Sequence, residues 1–461
     1  MFALRVLASL ALFAPLGCET APPLPDLVLV TIDTLRADHL GAYGYERATS
    51  PNLDKLASKG VLFTRASAPS SWTKPSIASL FTSREPGEHG AVAFERHLAP
   101  GLTTLAEQLS AAGYRTLGVS GNFVHVNEAT GLARGFDTWL TVSRRAAPDS
   151  SGETWKAGGQ DVMLRPPDAD ELNAEVWKAL PDTRETPLFL YVHYMDPHAD
   201  YAPPDRFRAA FVRDDDAPAR ASSQRIVDLA AGRAVASPAE RRWLVDLYDA
   251  EIAAVDAAVG ELVSGLAARG YGDDTIFAFV SDHGEALGER GWFHALDLHA
   301  ESLSVPLILV AGRSASQGIR RDDAVDLLDV PTTLLARAGI DPAPGMRGRD
   351  LLADGALPPR DLAAELHADP VFEEHVRPRE QRLALLRWPW KLVATRDGSV
   401  VGYQLEGDAR ELRPVQPGDP AFPTDLAAAL SVRRSQVETT GPSGVLGDDA
   451  RAGLRALGYA E

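Results

Sequence analysis

Three stretches carry side chains whose types and spacing suit work on an anionic ester. The first is Ser71-Trp72-Thr73-Lys74-Pro75-Ser76-Ile77-Ala78-Ser79-Leu80-Phe81-Thr82-Ser83-Arg84. Pro75 suits a first helical turn, where a missing N–H costs nothing, and Thr73 and Ser76 are N-cap types, so a loop entering a helix is expected. A helix N-terminus offers free N–H groups and a positive dipole end to an oxyanion. A hydroxyl there becomes a nucleophile only when a metal or a base lowers its pKa. The second stretch is Ser281-Asp282-His283-Gly284-Glu285. A carboxylate beside an imidazole is a common pair of ligands for first-row metals, and the following glycine permits close approach. The third is Asp33, at the end of an apolar run. Asp33, Asp282 and His283 thus form a candidate divalent-metal site, with the Thr73 hydroxyl as a further donor. Each stretch alone also fits a capped helix or a satisfied polar turn; their combination points to chemistry.

The elements that must hold these residues are legible from hydrophobic pattern. Asp26–Ile32, Tyr114–Ser120, Pro187–Val192, Thr275–Val280 and Val305–Val310 are near-continuous apolar runs. Such runs suit strands buried on both faces. Helical stretches alternate with them: Leu53–Gly60, Leu102–Gly113, Asp326–Ala338, and the longest from Ser237 to Gly270. In the last, Leu244, Tyr248, Ile252, Val255, Val259, Leu262 and Leu266 share one face. The expected fold is α/β, a mostly parallel sheet with helices on both faces. Asp33, Asn122, His193 with His198, and Asp282-His283 all follow strand C-terminal ends, where open α/β sheets build their sites. Residues 144–181 are polar and rich in Gly and Pro, and read as an excursion over the surface. The expected organisation is an export segment over 1–18, a tether over 19–25, a catalytic domain over 26–345, and a linker with a small C-terminal α+β subdomain over 346–461.

Composition narrows the address and the partners. The 461 residues carry 46 basic and 64 acidic side chains, a net charge of −18. No basic footprint for nucleic acid exists. Arg5 followed by the apolar run Val6–Gly17 reads as an export signal, too short to span a bilayer. It ends at Leu16-Gly17-Cys18, which resembles a bacterial lipoprotein signal. The expectation is an exported, lipid-anchored protein of the bacterial cell envelope, or a periplasmic or secreted one if cleavage falls near Ala21. Cys18 is the only cysteine, so the chain has no intramolecular disulfide and no thiolate nucleophile in its body.

In combination, these blocks resemble the sulfatase family of the alkaline-phosphatase-like superfamily. Asp33–Gly44 is similar to its N-terminal metal segment. Thr73-Lys74-Pro75-Ser76 through Leu80, Thr82, Arg84, Pro86, His89 and Gly90 is similar to its nucleophile block. Pro197-His198-Ala199-Asp200-Tyr201 resembles its substrate-histidine block, and Ser281–Glu289 through Val305-Pro306 its second metal block. The resemblance spans most of Asp26 to about Leu352. It implies a hydrolase of sulfate, phosphate or phosphonate esters with one divalent ion (Ca²⁺, Mn²⁺ or Zn²⁺) on Asp33, Thr73, Asp282 and His283. It also implies His198 and His294 as catalytic groups, and Asn122, Lys74 and His193 as substrate contacts, although His193 also suits a packed position behind the ligands. The substrate would be a small molecule, or a glycan or lipid ester.

The chain departs from the family at several positions. Thr73 stands where sulfatases place the cysteine or serine converted to formylglycine, so no formylglycine is expected. Ile77 replaces an arginine, Thr34 a second aspartate, and His294 a lysine. Gly121-Asn122-Phe123 stands where the family has Lys-Trp-His. Threonine there is similar to the superfamily's phosphodiesterases, phosphonate monoester hydrolases and phosphoethanolamine transferases. Two rivals follow: a transferase moving a phosphoethanolamine-like head group, and a lipid-anchored binding protein that has lost catalysis.

Two acyl chains plus an N-acyl group on Cys18 would hold the chain firmly at a membrane surface. Mass spectrometry of the mature N-terminal peptide should find Cys18 first and lipidated. An unmodified terminus beyond Cys18 would make the protein soluble in the periplasm or outside the cell.

Overall fold

A computed structural model describes residues 24–145, 153–157, 160–180, 184–213, 218–272, 274–312, 318–369 and 380–437. The expected export signal over 1–18, and all of the expected tether over 19–25 but its last two residues, fall outside the described residues. The central sheet has eight strands: β1 (Leu27–Ile32), β2 (Val61–Ser67), β3 (Arg115–Ser120), β4 (Thr138–Thr141), β5 (Leu188–Tyr194), β6 (Ile276–Val280), β7 (Leu307–Ala311) and β8 (Ile319–Asp326). Their spatial order is β8-β2-β7-β6-β1-β5-β3-β4. All pairings are parallel except those of β7, which runs against β2 and β6.

β1 lies in the middle, and every one of its residues is buried. Its alternation divides the core in two. Val28, Val30 and Ile32 pack with Leu244, Tyr248, Ile252 and Val255 of the long helix Pro238–Ala268. Leu27 and Leu29 point the other way, to Ile77, Leu80 and Phe81 of the helix Thr73–Thr82 and to Leu334 of Asp329–Arg337. Helices on both faces are why the strands read as unbroken apolar runs. The α/β fold with a mostly parallel sheet is the fold expected from the sequence.

Four features differ from the sequence reading, the first being β2, which was not among the expected strands. The stretch 144–181 holds a small three-stranded antiparallel sheet and the helix Ala169–Ala179. That helix has a capping box, Asp168 with Glu171, and buries Leu172 and Val176 against the sheet. β4 and β8 were not expected either. β8 reads Ile-Arg-Arg-Asp-Asp-Ala-Val-Asp, and its charges suit a sheet edge, where they discourage further pairing.

The C-terminal part forms an antiparallel sheet of β9 (Leu362–Leu366), β10 (Arg382–Arg387), β11 (Trp390–Thr395) and β12 (Val400–Gln404), with the helix Thr424–Val437 on one face. β9 reaches the nucleophile segment directly, where Glu365 N–H donates to the Pro69 carbonyl at 2.9 Å.

Gly118 in β3 faces Trp139, and a Cβ there would lie 2.3 Å from the ring. Gly118→Ala should therefore cost about 1–3 kcal/mol by overpacking. Thermal melts check this, and an unchanged Tm would count against so tight a contact.

Candidate active site

Four strand ends and one helix start converge. Asp33 follows β1, Asn122 follows β3, His193 ends β5 with His198 beyond it, and Asp282-His283 follow β6. Thr73 opens the helix Thr73–Thr82, which begins without a side-chain cap. The Thr73 hydroxyl is not spent on capping; it lies 3.1 Å from His283 Nε2. Ser76 does not cap either, and donates to the Ser70 carbonyl at 3.0 Å.

His283 Nδ1 donates to the Gly284 carbonyl at 2.9 Å. A carbonyl can only accept, so Nδ1 carries a proton, which leaves Nε2 as the lone-pair nitrogen of the neutral tautomer. That lone pair lies 3.4 Å from Asp282 Oδ2 and 3.7 Å from Asp33 Oδ1. Both carboxylate oxygens are fully buried and have no hydrogen-bond donor among the described residues. One ligand atom from each of Asp33, Asp282 and His283 lies within 4.8 Å of the others, the one such cluster among the described residues. The opposite oxygens are held in place. Asp33 Oδ2 accepts from Asn122 Nδ2 at 3.0 Å and His193 Nε2 at 3.1 Å. Asp282 Oδ1 accepts from the backbone N–H of Thr34 at 3.2 Å and of His283 at 2.9 Å.

The electrostatics follow from that layout. Burial, and then the charge of Asp33, push Asp282 up to about 6. Burial opposes ionisation of Asp33 too, but the His193 hydrogen bond and neighbouring imidazoles outweigh it and hold Asp33 below the usual carboxylate range. Two orphaned oxygens, an imidazole lone pair and a hydroxyl fit a divalent cation. Such an ion would remove the repulsion that the protein leaves uncompensated.

The other expected residues divide. His198 and His294 flank the cluster: the His294 ring centroid is 4.6 Å from that of His283 and 4.9 Å from that of His198. His198 Nδ1 donates to the Ala199 carbonyl, which leaves Nε2 for other work. Burial lowers the His198 pKa below that of a free imidazole. Asn122 and His193 were expected at the substrate; the structure puts both on the back of Asp33. Tyr191 steadies His193, hydroxyl to Nδ1 at 2.8 Å. Lys74 turns elsewhere. Its buried ammonium donates to the Ala93 and Phe94 carbonyls, and burial lowers its pKa to about 8.

Two residues were missed. Glu285 is fully buried and faces His294 Nδ1 at 3.3 and 3.4 Å. His125 is 2% exposed, stacks edge-on to Trp72 and Phe94, and neither of its ring nitrogens has a hydrogen-bond partner. Its position three residues after Asn122, beyond a strand end, was the available signal.

The sulfatase family profile matches residues 25–340. The chain belongs to the sulfatase family. An arylsulfatase of Clostridium perfringens is 25% identical over 402 residues, covering 76% of this chain and 82% of its own. A multifunctional alkaline phosphatase superfamily protein of Trinickia caryophylli is 24% identical over 419 residues, covering 76% and 80%. Among solved structures, one in complex with its substrate D-glucosamine-2-N,6-O-disulfate aligns with a TM-score of 0.72 at 19% identity, over 90% of this chain and 98% of the other. A phosphonate monoester hydrolase of Agrobacterium radiobacter aligns with a TM-score of 0.68 at 20% identity, over 90% and 95%. The sulfatase-family chain is a hydrolase acting on sulfate or phosphate esters, and its family is metal-dependent.

A metal held by this cluster should stabilise the fold, by about 2.7 kcal/mol at a hundred times its Kd. Asp282→Ala should therefore lower both metal per chain and the metal-dependent rise in Tm. Full metal occupancy in that variant would remove Asp282 from the ligand set.

Proposed function

We propose that this chain hydrolyses an anionic ester through a covalent ester on Thr73, with phosphate or phosphonate esters favoured over sulfates. The supporting observation is the Thr73 hydroxyl, uncommitted to capping and 3.1 Å from the lone-pair nitrogen of His283. A bound divalent ion, Mn²⁺ or Zn²⁺ better than Ca²⁺ given the imidazole, would supply Lewis acidity that lowers the hydroxyl pKa and neutralises the ester. Asp33, Asp282 and His283 would hold that ion, and Asn122 and His193 orient Asp33.

Thr73 Oγ gives up its hydroxyl proton to solvent and forms the bond to phosphorus as the bond to the leaving oxygen breaks in line. The leaving oxygen takes a proton from His198 or His294. The Glu285 carboxyl at His294 Nδ1 directs the other ring nitrogen outward. Water then attacks phosphorus, Thr73 leaves, and its oxygen regains a proton. Orphaned ligand oxygens with a placed nucleophile favour catalysis over a binding-only role. A second alcohol in place of water would make the same site a transferase. Lipidation at Cys18 would set this chemistry at an envelope surface.

Thr73→Ala should remove most turnover and leave metal content largely intact. Thr73→Ser should keep part of the rate, and a trapped intermediate should map to residue 73. The lean toward phosphorus is checked with matched aryl sulfate, phosphate monoester, phosphate diester and phosphonate substrates. A sulfate cleaved far faster than the matched diester would reverse it.

A further inference from the structure

The loop over 284–299 carries Glu285 and His294, and the C-terminal subdomain grips it at its middle, Arg290, and at its far end, His299. Glu411, just past β12, is 4% exposed. Its Oε1 accepts from Lys391 Nζ of β11 at 2.7 Å, and its Oε2 meets His299 Nδ1 at 2.9 Å. His299 is the last residue before the helix Ala300–Leu303. A second strut runs beside it. Arg290 Nη1 donates to the Arg410 carbonyl at 2.8 Å and the Glu411 carbonyl at 3.3 Å, and the same guanidinium pairs with Glu301.

Three observations set this contact apart from ordinary interface packing. Glu411 adopts a φ of 55°, a left-handed conformation that a non-glycine residue holds only when its surroundings enforce it. Beside the pair lies a cavity of about 300 Å³, with Leu303, Leu386, Trp388 and Leu405 among its walls. Leu298 and Leu303 also pack in one apolar cluster with Tyr403 and Leu405, so the charged contacts fix the register of an interface that is already packed. The loop in turn is tied to the nucleophile segment, because Ala295 N–H donates to the Ser71 carbonyl at 2.8 Å. Lys391 and His299 outweigh the cost of burial and hold Glu411 at about 2, so the bridge is intact at any neutral pH.

We propose that the C-terminal subdomain positions the catalytic loop through Glu411, whose buried carboxylate joins Lys391 of its own sheet to His299 at the foot of the loop bearing His294. The kinetic consequence rests on the reading that His294 serves the reaction; the structural one does not. Glu411 is a positioning residue. It touches no reacting atom and acts by fixing where His294 stands against Thr73. The catalytic domain and the small sheet then function as one unit.

The test uses the full metal-loaded chain. Glu411→Ala should lower Tm and reduce kcat by about 10- to 100-fold, the cost of a small misplacement, with KM and metal content unchanged. Replacing a buried ion pair by apolar groups of similar size is often neutral for stability. Lys391→Met with Glu411→Leu should therefore recover Tm while kcat stays low. Amide hydrogen exchange over 286–298, including Ala295, should speed up in both variants. His299→Asn leaves the buried pair in place and should loosen the same amides at near wild-type Tm. Recovery of kcat together with Tm in the double variant would overturn the proposal. So would unchanged loop exchange in His299→Asn. A wild type without turnover would defeat the functional reading, and the exchange data would still decide the loop.

Discussion

Asp33 and Asp282 face each other, both fully buried, each with one oxygen that no donor among the described residues reaches. Two unit charges about 4–5 Å apart at an effective dielectric near 20 repel by about 3–4 kcal/mol. A fold does not carry that cost without return. Asn122, His193 and the backbone of Thr34 and His283 satisfy the outer oxygens only, so the inner pair is left for a cation. Even the backbone yields to this layout, for Thr34 sits at a φ of 55° while donating to Asp282.

The parallel sheet makes such a site inexpensive to assemble. β1 lies between β5 and β6, so residues just past three adjacent strand ends stand side by side without any long loop. Backbone bonds continue the register beyond the strands: Asp33 N–H donates to the Tyr194 carbonyl at 3.0 Å, and Gly121 N–H to the His193 carbonyl at 2.9 Å. Gly284 lets the turn after His283 press against the Glu301 carbonyl, which a Cβ would meet at 2.1 Å. The turn after the candidate ligand His283 thus rests on the segment that Arg290 clamps to the C-terminal subdomain.

That Asp33, Asp282, His283 and Thr73 come together was legible in the sequence because each follows an apolar run or opens a helix, and the backbone direction there leaves little choice. What was not legible depends on where a side chain turns in three dimensions. Asn122 and His193 lie beside the site as expected, yet both point at Asp33. Lys74 neighbours Thr73 in sequence, but the helical step swings it toward Phe94. Glu285 and His294 are nine residues apart, and only the hairpin between them brings them together. The helix Ala169–Ala179 was passed over inside a polar stretch although Asp168 and Glu171 spelled its cap. Charge hid β8, because an edge strand need not look apolar.

Thr73 also constrains the second half of the proposed reaction. A formylglycine hydrate can expel sulfate by collapsing to its aldehyde, with no attack on sulfur. A threonine ester has no such exit, so water must approach phosphorus or sulfur on the side opposite Thr73 Oγ. That side is the one the leaving group has just vacated. Whichever histidine protonated the leaving oxygen is then deprotonated and positioned to take a proton from the incoming water. His198 and His294, with ring centroids 4.9 Å apart beside the metal cluster, suit that exchange. The replacement of a lysine by His294 is consistent with it, because an imidazole can return a proton near neutral pH and a free ammonium does so poorly.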